Sequence, residues 1–353
     1  TAPERPAADS LSAAWLEPGP YTVGQVELTF VDESRRTAAN GEAPGAPSRT
    51  LPSTLWYPRD YDGDSLPLIV HSHGILSSRT EMPYLMEALA SRGYVVVATD
   101  YPLTSGGTPG GANAADVVNQ PGDVSFLIDS VLALDGADKP FNGPIDGSRI
   151  GLSGYSLGGL TTLLSTYHAE LRDPRVSAAV AIAGPSAVFA PLFFETTAVP
   201  FLAVAGTADA LIEYERNAAD LTARADNLAL VGIEAGSHLG FADIAEPAFR
   251  FMETPDSLGC SAVLAALGEN PNALFDELGT AAIGVDRGRD LPGICEDVLQ
   301  PALHPGRQQM ITQVAIVSFF ESVFSPDGEQ RELAAATLTE ALAADFAEAR
   351  VRR

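Results

Sequence analysis

Ile150-Gly151-Leu152-Ser153-Gly154-Tyr155-Ser156-Leu157-Gly158-Gly159 sets a Gly-x-Ser-x-Gly motif between an apolar strand-like run, Arg149 to Ser153, and a helical stretch, Leu157 to Tyr167. Alone, these five residues would also suit a turn of small residues. With a strand before and a helix after, the glycines permit a sharp turn that lifts the serine above a sheet at the start of a helix. Ser156 is therefore the candidate nucleophile.

Outward from this turn, short apolar runs alternate with helical stretches. Strands are expected at Leu51 to Tyr57, Leu66 to His71, Tyr94 to Thr99, Val176 to Ala183, Pro200 to Ala205 and Leu228 to Ile233. Several are apolar on both alternating faces, the pattern of strands covered on both sides. Pro83 to Ser91 and Asp123 to Leu134 read as the intervening helices, and the order implies a mainly parallel sheet with right-handed crossovers. Val23 to Val31 alternates and should pair antiparallel with the Leu51 strand. Two closing helices are expected, at Met310 to Phe324 and at about Gln330 to Arg350. Residues 241–303 lose periodicity and carry Pro255, Pro271, Pro292 and Pro301, so an irregular insertion or cap is expected there.

A serine hydroxyl needs a base, and the base needs a carboxylate to orient it, in the chain order Ser, Asp or Glu, His. Of the five histidines, His238 follows the apolar run ending at Ile233, the strand-to-loop position such a base occupies. His168 stands at the far end of the helix that carries Ser156, and His304 lies beyond the irregular block. Asp209 turns out of the run Phe201 to Ala205 and is the first choice of carboxylate, ahead of Glu213 and Asp243. The negative charge that develops in acyl transfer requires two backbone donors. Leu157 N–H should supply one, and Ile75 N–H, in His71-Ser72-His73-Gly74-Ile75, the other. The substrate pocket is expected around His73, Gly74 and Tyr155, and around Phe189 and Phe193 in the apolar run Ala187 to Phe194. His71 and His73 could be an alternating pair of metal ligands, but no further ligands have matching spacing, and no metal or cofactor is expected.

Composition narrows the partners. The 353 residues are 46% hydrophobic and 19% charged, as in a folded globular protein. No apolar stretch approaches 18 residues, so no membrane-spanning helix is expected. The net charge is -25, with Lys139 the single lysine. Nucleic acid is thereby a poor partner, since a phosphate backbone requires clustered cations. Asp100, Asp116, Asp209, Glu213 and Asp243 are expected around the mouth of the site. Their field should favour neutral or zwitterionic esters over anionic ones, less so as salt rises. Thr1 in place of Met reads as a processed or trimmed start. Cys260 and Cys295 are the only cysteines: one disulfide in an exported chain, two buried thiols in a cytosolic one.

Gly19-Pro20-Tyr21-Thr22-Val23-Gly24, Leu55-Trp56-Tyr57-Pro58, Ser72-His73-Gly74-Ile75, Gly154-Tyr155-Ser156-Leu157-Gly158-Gly159 and His238-Leu239-Gly240-Phe241-Ala242-Asp243 occur in order. Together they resemble the plasma-type platelet-activating-factor acetylhydrolase family of α/β hydrolases over roughly residues 19–245. More distantly, the chain is similar to dienelactone hydrolases and cutinase-like polyester hydrolases. The resemblance implies Ser156 as nucleophile, His238 as base, Asp209 as acid, and Ile75 and Leu157 as oxyanion donors. The expected organisation is an extension at 1–18, an α/β-hydrolase core at 19–240, an insertion or cap at 241–303 and closing helices at 304–353. The expected activity is that of a secreted or periplasmic serine carboxylic-ester hydrolase acting through an acyl-enzyme on neutral esters, of short-chain acyl or phospholipid type. The alternatives are a polyester or lactone hydrolase with the same triad, and a catalytically silent hydrolase scaffold that binds a ligand.

Overall fold

Runs of β-branched and apolar residues that are greasy on both faces are satisfied only inside a sheet covered on both sides. The computed structural model describes residues 2–289, 291 and 293–353, so Thr1 and Pro292, both named above, lie outside the described residues. Nine strands form one sheet: β1 (Val23–Asp32), β2 (Arg49–Pro58), β3 (Leu66–Ser72), β4 (Val95–Thr99), β5 (Ile145–Tyr155), β6 (Val176–Ile182), β7 (Phe201–Gly206), β8 (Leu228–Ile233) and β9 (Ala349–Arg352). Their spatial order is β1-β2-β4-β3-β5-β6-β7-β8-β9. The central strands β4, β3, β5, β6, β7 and β8 are mutually parallel. β1 pairs antiparallel with β2, β2 with β4, and β9 with β8. This is the α/β-hydrolase fold.

Helices cover both faces: α1 (Pro83–Ala90), α2 (Gln120–Leu132), α3 (Leu157–Tyr167), α4 (Asp256–Leu267), α5 (Pro305–Phe324) and α6 (Gly328–Ala336). Alternation along the strands divides the core in two. Leu68, Val70, Val95, Val97 and Leu152 pack with Leu127, Leu160 and Leu164 of α2 and α3. Ile69, Val96, Ala98 and Val180 face Leu85 and Leu89 of α1 and Ile311, Val314 and Phe320 of α5. Full burial of each such side chain contributes about 1.5–3 kcal/mol.

Register fixes where loops meet. Ser72 lies opposite Gly154 across β3 and β5, so the loop after β3 emerges beside the turn after β5. Gly206 lies opposite Ile233 across β7 and β8, so the loops that follow those strands also emerge together. Ligands bind at this carboxyl end of a parallel sheet.

Two expectations are corrected here. The last helix does not run to Arg350: after α6 a π-helical turn spans Thr337–Ala341, a short helix ends at Asp345, and the chain then extends into β9. The stripe Leu338, Leu342, Phe346 is buried as helical spacing requires, but β8 offered an unpaired edge that Ala349 to Arg352 closes. Exposed Arg350 and Arg352 then blunt the new edge. The irregular block also contains a regular element, α4, in which only Asp256, Gly259 and Cys260 are buried. No apolar stripe marks a helix that buries so little.

Candidate active site

Tyr155 ends β5 and Leu157 begins α3, leaving one residue for the reversal. That residue, Ser156, takes φ 55° and ψ -119°, a strained conformation for a residue with a Cβ. Its own N–H donates to the Ile182 carbonyl at 2.8 Å. Glycine is required on either side by close approach. A Cβ at Gly154 would stand 2.0 Å from the Gly158 carbonyl oxygen, and one at Gly158 would stand 1.9 Å from that of Ser72.

The loops after β7 and β8 bring two further groups to this turn. His238 Nε2 lies 2.8 Å from Ser156 Oγ, and His238 Nδ1 lies 2.7 Å from Asp209 Oδ2. The carboxylate can only accept, so Nδ1 carries the proton and Nε2 is free to accept the serine proton. Glu213 binds the N–H groups of Glu215 and Arg216 instead, and Asp243 has no contact with the imidazole. Burial alone would push the His238 pKa down, but the carboxylates of Asp209, foremost, and of Asp256 and Glu81 together outweigh it and hold the imidazole above its ordinary value. Burial likewise pushes the Asp209 carboxyl up. The imidazole and the N–H groups of Leu211 and Ile212, at 2.9 and 2.7 Å, favour its anion.

The loop after β3 has one spare donor. Gly74 N–H goes to Glu81 Oε2 at 3.1 Å, and Leu76 N–H to the Thr104 carbonyl at 2.9 Å. Ile75 N–H between them has no partner among the described residues. Leu157 N–H is the other, an orphan donor of the first turn of α3. Gly74 lies against Ser156, where a Cβ would come within 3.2 Å of Ser156 Cβ.

His73 and Tyr155 are not pocket walls. His73 is buried: it accepts Tyr101 N–H at Nε2 and donates from Nδ1 to the Gly74 carbonyl, while burial lowers its pKa and keeps it neutral. Tyr155 packs its ring 5.0 Å from that of His238 and donates its hydroxyl to the His238 carbonyl at 2.8 Å. Both support the site from beneath. His71, the other half of the conceivable metal pair, bonds Ser153 and Glu81. Among the described residues no group of three or more His, Cys, Asp or Glu stands where it could hold a metal ion.

Phe189 and Phe193 also lie elsewhere. Their rings stack at 3.8 Å inside the core, both fully buried. A dense apolar run is equally suited to core packing and to a pocket wall, and packing won. The cavity beside Ser156 has a volume of about 60 Å³ and is bounded by Ile75, Leu157, Ala187, Leu211 and a set of residues beyond 260 that includes Leu267 and Phe275. Among the described residues no ionisable side chain lines it. Of the five carboxylates expected at the mouth, Asp116 is buried against Arg49 at 2.8 Å and Asp100 pairs with Arg79, whereas Asp209 faces the neutral His238 imidazole. A carboxylate with a cation beside it projects little field.

Two positioning groups escaped the sequence reading. Asp256, buried at the start of α4, accepts N–H groups from His238 and Leu239 at 2.8 and 2.9 Å and from Ala210 at 3.0 Å. Buried Glu81 joins His71 to Gly74. Neither sits in a recognisable motif. Cys260, on α4, is bonded to Cys295, whose N–H donates to the Ala210 carbonyl at 2.8 Å.

A strained serine after a strand, a histidine and a carboxylate in line, and two free amides define a carboxylic ester hydrolase of the α/β-hydrolase fold. A PET hydrolase-like family model matches residues 45–251, more than half of the chain. The chain belongs to the PET hydrolase-like family. This bears out the broad class of esterases and polyester hydrolases that the sequence resembled, without singling out the platelet-activating-factor acetylhydrolases. No curated protein matches the chain. Among solved structures it is similar to a ferulic acid esterase from Streptomyces cinnamoneus, with 20% identity, a TM-score of 0.55, and coverage of 88% of this chain and 95% of that one. At that identity the likeness speaks for the fold.

Proposed function

We propose that the enzyme cleaves neutral carboxylic esters through an acyl-enzyme on Ser156, with His238 as base and Asp209 as the group that orients it. The observation that carries this reading is the unbroken hydrogen-bonded line from Ser156 Oγ through the imidazole to Asp209. Ser156 Oγ attacks the ester carbonyl as its proton passes to Nε2. The oxyanion that forms is held by the N–H groups of Ile75 and Leu157, and the imidazolium by Asp209. Collapse expels the alkoxide, which takes the proton from Nε2. Water then attacks the acyl carbon as its proton passes to Nε2, and collapse breaks the bond to Ser156 Oγ, which takes that proton back as the acid leaves. No cofactor is needed for either half.

Polyester hydrolysis is the second reading, favoured by the family to which the chain belongs. Both readings place the protein in an oxidising compartment outside the cytoplasm, where the disulfide would persist. No helix among the described residues is long and apolar enough to cross a membrane.

Incubation with a fluorophosphonate probe should label Ser156, identified by peptide mass spectrometry, and abolish hydrolysis of p-nitrophenyl esters. Ser156→Ala should lose both labelling and turnover while keeping its melting temperature. Absence of labelling in folded wild-type protein would establish the silent-scaffold alternative.

A further inference from the structure

The walls that close the cavity beside Ser156 come from chain outside the family match. Val263 and Leu267 of α4, with Leu274, Phe275, Leu291 and Ile294, line it. All lie beyond residue 251, where the match ends. We propose that this segment turns the site into a narrow, partly covered acyl pocket for a compact, neutral group, a short aliphatic chain or one small ring. The substrate is then a small soluble ester, rather than a long-chain fatty ester or a polymer. The proposal rests on the reading of Ser156 as the nucleophile and goes beyond it in naming the substrate class.

Size is the first argument. At about 10–15 Å³ for each water-sized group, 60 Å³ accommodates roughly four to six non-hydrogen atoms. A longer chain must either displace packed side chains, which close-packed interiors resist even for one methylene, or run out through the open side and leave its apolar tail in water.

The second argument is that the wall is anchored. Leu274 and Phe275 belong to the core on the α3 face of the sheet. Ala190 N–H donates to the Gly284 carbonyl at 2.9 Å, and Asp286 N–H to that of Val188 at 2.9 Å, which tie the segment to the loop after β6. The disulfide and the three amide bonds to Asp256 fix its other end.

The third argument assigns the side of the ester. The acyl group stays on Ser156 between the two half-reactions, while the alcohol must depart and water must enter. A narrow pocket, covered on most sides, therefore suits the group that stays. Because every described wall is uncharged, a charged acyl group would lose hydration there without gaining a counter-ion.

A p-nitrophenyl ester series with a constant leaving group tests this, from acetate through butyrate, hexanoate and benzoate to octanoate, laurate and palmitate. The kcat/KM should peak at or before hexanoate and fall at least about 10-fold by octanoate, within the range that one or two methylenes command in a shaped pocket. Leu267→Ala and Ile294→Ala should each raise the octanoate-to-butyrate ratio about 5-fold or more, and Val263→Phe should depress the hexanoate-to-acetate ratio. Each ratio is read on one preparation, so a smaller folded fraction cancels. Laurate or palmitate turned over as well as butyrate by the wild type overturns the proposal, and so do ratios that none of the three variants moves. Turnover of no ester, with Ser156 unlabelled by fluorophosphonate, places the failure in the nucleophile itself and removes the proposal with it.

Discussion

Asp256 accepts the backbone N–H of His238 at 2.8 Å, so a carboxylate from the segment beyond the sheet sets the position of the imidazole. The same side chain takes N–H groups from Leu239 and from Ala210, next to Asp209, and thereby holds the acid loop and the base loop together. Asp256→Asn keeps the volume but turns an NH₂ toward these donors. Each buried donor left unpaired costs about 1–3 kcal/mol. The variant should melt several degrees lower, lose about 10- to 100-fold in kcat, and shift KM much less. Asp256 also raises the His238 pKa, so the acid limb of the pH profile should move down. A lower melting point with kcat and pH profile unchanged would make Asp256 a structural residue only.

The acid limb itself follows from the line of hydrogen bonds. His238 must be neutral to accept the serine proton, so activity should rise with pH through its pKa. Asp209, together with Asp256 and Glu81, outweighs burial and holds that pKa above the ordinary value of 6.5, so the midpoint of kcat/KM should lie above 6.5. Asp209→Asn removes the foremost of these charges and leaves burial, so the midpoint should drop, while kcat falls about 10⁴-fold because the imidazole is held in the wrong tautomer. A pH titration of both proteins on one neutral ester decides it. A midpoint below 6 in the wild type would contradict the assignment.

The disulfide joins α4 to the strand of chain that donates to the Ala210 carbonyl. Closing a loop of about 36 residues contributes roughly 3–4 kcal/mol in the chain-entropy model. The paired replacement Cys260→Ser with Cys295→Ser should therefore lower the melting temperature markedly. Activity that remains should show a broader acyl range, because one anchor of the pocket wall is gone. Calorimetry and the ester series measure the two effects separately, and an unchanged melting temperature would show that the bridge is not stabilising.

Discrimination against charge should not depend on salt. The acidity of the chain invites a long-range field at the mouth, but Asp100 and Asp116 are paired with arginines and the described pocket walls carry no ionisable group. Rejection of an anionic acyl group then comes from desolvation, which acts at contact, whereas fields between exposed charges are screened within about 8–10 Å at ordinary ionic strength. The ratio of kcat/KM for a butyrate and a hemisuccinate ester should stay within about 2-fold between low and high salt, since screening hardly reaches a buried site. A ratio that collapses as salt is raised would restore the field at the mouth.

Much of this site is written in local sequence. Gly154, Ser156 and Gly158 specify a turn because steric exclusion acts between neighbours in the chain. Strand runs that are apolar on both faces specify a covered parallel sheet, and a parallel sheet collects the ends of β3, β5, β7 and β8 at one edge. Choosing Asp209 over Glu213 needed only its place just after β7, and choosing Ile75 needed only the loop after β3. Phe189 and Phe193 were a different matter. Whether an aromatic faces a cavity or another ring depends on what packs opposite, and that is not encoded by their own spacing. The same holds for β9, whose partner edge lies more than a hundred residues earlier in the chain.

The sequence by itself determined the sheet, the sharp turn at Ser156 and the places of His238 and Asp209 after their strands, because strand periodicity, turn sterics and chain order are properties of neighbouring residues. Only the tertiary structure decided which side chains wall the pocket, that Asp256 ties the loop of His238 to that of Asp209, and that Asp100 and Asp116 pair with arginines. Those facts are contacts between segments far apart in the chain, and they come into being only when the core closes and sets which buried donors and charges must find a partner.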